Sequence, residues 1–123
     1  MAHILGVHHA QIGIPTGAED RARAFYCKLL GLPEIPKPAN LAARGGFWLA
    51  VGTLQVHVSI DDRADRHGSR AHLGYEVDDL AALKARLAGA GIGVEEGLPP
   101  VPGMARFELR DPFGNRIEFL QRI

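Results

Sequence analysis

The chain has 123 residues, of which 46% are apolar, and its 14 basic residues balance 14 acidic ones. That composition excludes a disordered chain, gives no overall positive field for nucleic acid, and contains no apolar run near the roughly 20 residues of a membrane-spanning helix. A single cysteine, Cys27, excludes an internal disulfide; with a start that lacks a basic region and a long apolar run, it makes the cytoplasm the expected location.

Residues 7–14 alternate. His8, Ala10, Ile12 and Ile14 share one face, and Val7, His9, Gln11 and Gly13 the other, which predicts a strand with an apolar and a more polar side. From 18 to 30 the period turns helical, with Ala22, Phe25, Tyr26, Leu29 and Leu30 on one stripe and Gly31 as the stop. Cys27 falls inside this pattern without an activating neighbour and reads as an ordinary helix residue. Three prolines between 32 and 38 allow only a short edge strand. Phe47–Val51, a Gly52-Thr53 turn and Leu54–Ile60 read as a hairpin whose polar face carries Gln55, His57 and Ser59. Residues 61–70 are charged and polar, and His67 among them reads as a solvated loop residue.

The second half repeats the first. Residues 71–77 form a strand with His72, Gly74 and Glu76 on its polar face. Asp78 or Asp79 caps a helix with the stripe Leu80, Leu83 and Leu87, and Gly89 and Gly91 end it. Residues 93–95 read as a short strand, 97–103 as a Pro-rich loop, and 105–110 as a strand. The stretch Asp111-Pro112-Phe113-Gly114-Asn115 is a turn, and the strand after it puts Ile117 and Phe119 on one side and Arg116, Glu118 and Leu120 on the other. His9 and His72 lie 63 positions apart, Phe47 and Phe107 60, and His57 and Glu118 61, so the chain reads as a duplication. The expected division is module one at 1–62, a linker at 63–70 and module two at 71–123. A half of about 60 residues is marginal alone, so the two should pair.

Within the repeat, His9 matches His72 and His57 matches Glu118, each on the less apolar face of its strand. A mid-strand glutamate is uncommon and a buried one needs a partner. Neutral imidazoles and a carboxylate suit one divalent ion, Zn, Ni, Mn or Fe. The candidate substrate contacts are Gln11, Arg44, Trp48, Glu76, Glu108 and Arg110.

Four segments resemble the vicinal oxygen chelate superfamily of glyoxalase I, bleomycin-resistance proteins, fosfomycin-resistance thiol transferases and extradiol dioxygenases. They are His8-His9-Ala10-Gln11-Ile12, Ala24-Phe25-Tyr26 with Leu30-Gly31-Leu32, residues 72–80, and Asp111 to Glu118. The resemblance implies an α+β fold in which two paired βαβββ modules form a cupped, partly open mixed sheet around a metal. It implies metal ligands at His9, His72 and Glu118, with His57 at the remaining position, Glu118 also serving catalysis, and a homodimer. Glyoxalase I usually has glutamate where this chain has His57, so the resemblance argues against a glutathione-dependent lyase. Two functions follow as expectations. One is a metal-dependent lyase, isomerase, thiol transferase or dioxygenase acting on a small oxygenated substrate that chelates the ion. The other is a dimeric drug-binding protein of the bleomycin-resistance type without catalysis.

Overall fold

The alternation at the start of the chain becomes β1 (His9–Ile14) in the computed structural model, which describes residues 1–123. A helix follows, α1 (Glu19–Arg23), and then β2 (Glu34–Ile35), β3 (Phe47–Val51) and β4 (Leu54–Ile60). β1 pairs in parallel with β4, β4 is antiparallel to β3, and β3 to β2, giving one mixed sheet of order β1-β4-β3-β2. The apolar face of the sheet supplies Ile14, Phe47, Leu49, Val56 and Val58 to a core closed by Ala22, Phe25 and Tyr26.

The second half uses the same order of elements without the short strand after the helix: β5 (His72–Glu76), α2 (Leu80–Gly89), β6 (Met104–Arg110) and β7 (Arg116–Arg122). β5 is parallel to β7 and β7 antiparallel to β6, giving the order β5-β7-β6. Its core holds Tyr75, Leu83, Leu87, Phe107, Leu109, Ile117 and Phe119. The fold is therefore α+β, with βαβββ order in the first half, βαββ in the second, and two small open mixed sheets. By their contacts the residues fall into two units, Met1–Ala64 and Asp65–Ile123.

Three local features differ from the sequence reading. The regular helix expected to Leu30 ends at Arg23 and continues as a π-helix over Ala24–Leu29, with the Leu30 N–H donating to the Phe25 carbonyl. The wider turn lets adjacent Phe25 and Tyr26 both enter the core, their rings edge to face at 4.9 Å. The strand expected at 93–95 reduces to one bridge, Glu95 exchanging backbone hydrogen bonds with Glu108, because Gly93 and Gly97 leave little side chain to hold a longer one. Ala39–Arg44, unassigned from sequence, is a 3₁₀ helix entered from Pro38.

The turn into β7 is fixed by Asp111. Its buried carboxylate accepts from the backbone N–H groups of Phe113 and Asn115 and from Asn115 Nδ2, at 2.8–2.9 Å. That pattern sets the phase of β7 and so the direction of Glu118.

Candidate functional site

Alternation along β5, β6 and β7 puts His72, Arg106, Glu108, Arg116 and Glu118 on the polar face of the second sheet. Glu108 and Glu118 are directly opposite each other on β6 and β7, and both are buried. Two carboxylates so placed repel, and each is offset by its own arginine. Arg116 grips Glu108 with Nε at 2.8 Å from Oε2 and Nη2 at 2.6 Å from Oε1. Arg106 Nη1 donates to Glu118 Oε1 at 2.7 Å, while its Nη2 donates to the Pro99 carbonyl. Burial pushes the Glu118 carboxyl up, but the hydrogen bond and charge of Arg106, with a smaller contribution from His72, bring it below the usual carboxylate range.

His72 meets the other oxygen, Nε2 lying 3.2 Å from Glu118 Oε2. Its Nδ1 is 3.0 Å from the Arg70 carbonyl, which can only accept. A neutral His72 thus spends its N–H on Arg70 and turns the Nε2 lone pair toward a carboxylate oxygen. That meeting is favourable only with a positive charge between the two, a proton or a metal ion. A carbonyl holding the far nitrogen is the usual way a metal-ligating imidazole is oriented. Ligand atoms of His72, Glu108 and Glu118 lie within 4.8 Å of one another, and this donor set suits a hard or borderline divalent ion.

On the polar face of the first sheet three rings stack. Trp48 lies opposite His57 across β3 and β4, with centroids 3.9 Å apart and planes at 4°, and His9 covers the other side of His57 at 4.1 Å and 16°. His57 Nε2 is 2.9 Å from Gln55 Oε1, and His9 Nδ1 is 3.0 Å from His8 Nδ1, which leaves His9 Nε2 open. Burial lowers the His57 pKa, helped by His9, His8 and Lys37, and so favours the neutral imidazole that a metal requires. Gln11, Trp48, His57 and Arg44 line one cavity of about 300 Å³.

The sequence-predicted residues thus fall into two groups. The structure brings His9, His57, Trp48 and Gln11 together in the first unit, and His72, Glu118 and Glu108 in the second. Two other candidates are engaged elsewhere. Glu76 is exposed and pairs with Arg122 at 2.6 Å; Arg110 donates to the carbonyls of Arg66, Ser69 and Gly114. Arg106 and Arg116 were not singled out from sequence, although alternation gives both away: Arg106 is two residues before Glu108 and Arg116 two before Glu118. The carboxylate partner read as a metal alone is shared with Arg106. Burial raises the Cys27 thiol pKa, in keeping with an unreactive helix residue.

The sequence model of the Glyoxalase/Bleomycin resistance protein/Dioxygenase superfamily matches residues 6–119, and the chain belongs to that superfamily. A protein from Bacillus anthracis assigned to the glyoxalase family is similar at 37% identity, with a TM-score of 0.91 and coverage of 100% of this chain and 99% of that one. More distant structures share the fold. Lactoylglutathione lyase from Agrobacterium tumefaciens gives 23% identity, a TM-score of 0.72 and coverage of 97% and 95%. The fosfomycin resistance protein FosX from Listeria monocytogenes, complexed with Mn(II) and sulfate, gives 14% identity, a TM-score of 0.78 and coverage of 98% and 93%. No curated protein matches the chain. No helix is long and apolar enough to cross a membrane.

Proposed function

We propose that the chain is a metal-dependent enzyme acting on a small oxygenated substrate, in the lyase, isomerase, thiol transferase or dioxygenase classes. The observation that carries this reading is His72 Nε2 lying 3.2 Å from Glu118 Oε2, with Nδ1 3.0 Å from the Arg70 carbonyl, a contact that a proton or a metal ion between the two satisfies. Within the second unit the ligands would be His72 and Glu118; His9 and His57 of the first unit remain candidates from the sequence. FosX with Mn(II) is a fold relative that carries such an ion.

When bound, the ion supplies Lewis-acid polarisation to the substrate oxygens that chelate it. The chain's own residues do the rest. Arg106 holds Oε1 of Glu118, so Oε2, on the His72 side, is the oxygen that would be offered to the ion. The Arg70 carbonyl accepts from His72 Nδ1 and so orients the ring with Nε2 toward Glu118. Glu108, oriented by Arg116, sets a second carboxylate beside the first, where it can hold a hydroxyl of the substrate.

A second reading, a small-molecule binding protein without catalysis, is favoured by one observation: Arg106 already neutralises Glu118 without an ion. Metal content separates the two. The purified chain, reloaded with Zn, Ni, Mn or Fe, should hold one ion. Glu118→Gln and His72→Ala should each weaken it by about tenfold or more, and His3→Ala should not change it. The loaded form should then turn over a thiol adduct, an epoxide or a catechol where the chelated form does not. A wild-type chain that stays metal-free in large excess of every ion sinks the enzyme and leaves the binding protein.

A further inference from the structure

The cavity on the first sheet carries charge that the proposed metal chemistry does not use. Lys37 and Arg44 enter it from the segment before β3, and Gln11, Ser59, His57 and Trp48 supply the sheet side. None of its lining residues is acidic. Arg44 ends the 3₁₀ helix Ala39–Arg44, is exposed and makes no ion pair. The Lys37 ammonium is steered by the Gly45 carbonyl, 2.5 Å away, and has no carboxylate partner either. Glu19 brings its Oε2 near Gly45 but does not line the cavity.

The segment that presents these cations is stiff. Pro33, Pro36 and Pro38 fix φ on both sides of Lys37, and the 3₁₀ turn fixes Arg44. Little entropy is then lost when an anion is gripped. A lysine and an arginine lining one cavity with no acidic residue among its walls make a site for an oxyanion, and the indole of Trp48 in the same wall suits a flat apolar group.

We propose that this cavity binds the anionic end of the substrate, a carboxylate or phosphonate held by Lys37 and Arg44, with an adjoining planar group against Trp48. Its role in catalysis rests on the metal-enzyme reading, whereas anion binding itself needs no metal. The substrate class is accordingly a small unsaturated or aromatic oxyacid.

Trp48 is the sole tryptophan, so its fluorescence reports the cavity directly. The full chain, stripped with chelator, is titrated with benzoate, phenylphosphonate and the neutral benzyl alcohol. One or both anions should give a saturable change and the alcohol none; whichever anion binds more tightly identifies the acid. Arg44→Met and Lys37→Met should each weaken the anion by about tenfold, with Arg44→Lys recovering part of the loss. Metal content of the same variants should equal that of wild type, so loss of the ion and loss of the anion are read separately. Equal responses to benzoate, phenylphosphonate and benzyl alcohol, no response to any of them, or anion titrations unmoved in both methionine variants, overturn the proposal whether or not the chain holds metal.

Discussion

Gly114 shows how tightly single positions are constrained. Its φ is +101°, a region closed to most L residues, and a Cβ there would lie 2.7 Å from the His67 ring. Gly114→Ala should destabilise the chain by about 1–3 kcal/mol, read as a lower urea midpoint. His67→Ala in that background should restore only the steric part, leaving the backbone strain. The turn glycine was legible from the Asp-Pro-Phe-Gly-Asn motif. Its contact with His67 was not, since a polar loop gives no periodicity from which a docking point can be read. Tyr75 adds a pH dependence at the same scale. Burial, with the Asp111 charge, pushes its phenol up to about 12. A folded pKa above the unfolded value of about 10 means that its contribution is complete below pH ~10 and is lost as pH rises through about 12. Tyr75→Phe should therefore flatten the loss of stability in that alkaline window, measured by denaturation at stepped pH. A variant that loses stability there as steeply as wild type would refute this.

At the scale of elements, α2 is held at its start by Asp79, whose Oδ1 accepts from the Ala82 N–H at 2.9 Å. Asp79→Ala should cost about 1 kcal/mol and Asp79→Asn much less, a difference visible in thermal melts. Sequence left Asp78 and Asp79 open as caps; the extended backbone of Asp79 decides it. The entry to β3 is stricter, because a Cβ on Gly46 would sit 2.1 Å from the Val58 carbonyl oxygen, which is backbone and cannot swing aside. Gly46→Ala should thus be more damaging than Gly114→Ala, where a side chain can yield. Strands and their faces were legible because alternation has period two and both sheets bury one side. The π-helix was not: Ala22, Phe25, Tyr26, Leu29 and Leu30 fit an ordinary helical stripe equally well. The site was legible to the level of faces. His72 and Glu118 came together on the face their alternation gave them, but which arginine balances which glutamate, Arg106 on Glu118 and Arg116 on Glu108, emerges only once β6 and β7 are in register.

For the molecule as a whole, the duplication has a physical consequence. A unit of about 60 residues buries too little of its chain surface to be stable with much margin. Each sheet also ends in a strand paired on one side only, β1 in the first and β5 in the second. Open edges invite further pairing, and natural sheets usually cover or blunt them. In front of β1, Ile4, Leu5 and Val7 are exposed, an apolar run with no cover in the single chain. At the far edges Pro33 and Pro36 flank β2, and Pro99, Pro100 and Pro102 precede β6, so those sides resist extension. Association through the unblocked edges is thus favoured over open-ended stacking, and a closed twofold pair is the simplest way to satisfy it. We predict a homodimer: sedimentation at micromolar concentration should give twice the chain mass. Ile4→Asp with Leu5→Asp should shift it toward monomer if that segment is part of the contact. Because the pairing would also protect each marginal unit, the melting temperature should rise with protein concentration, and a melt independent of concentration alongside a single-chain mass would refute the assembly.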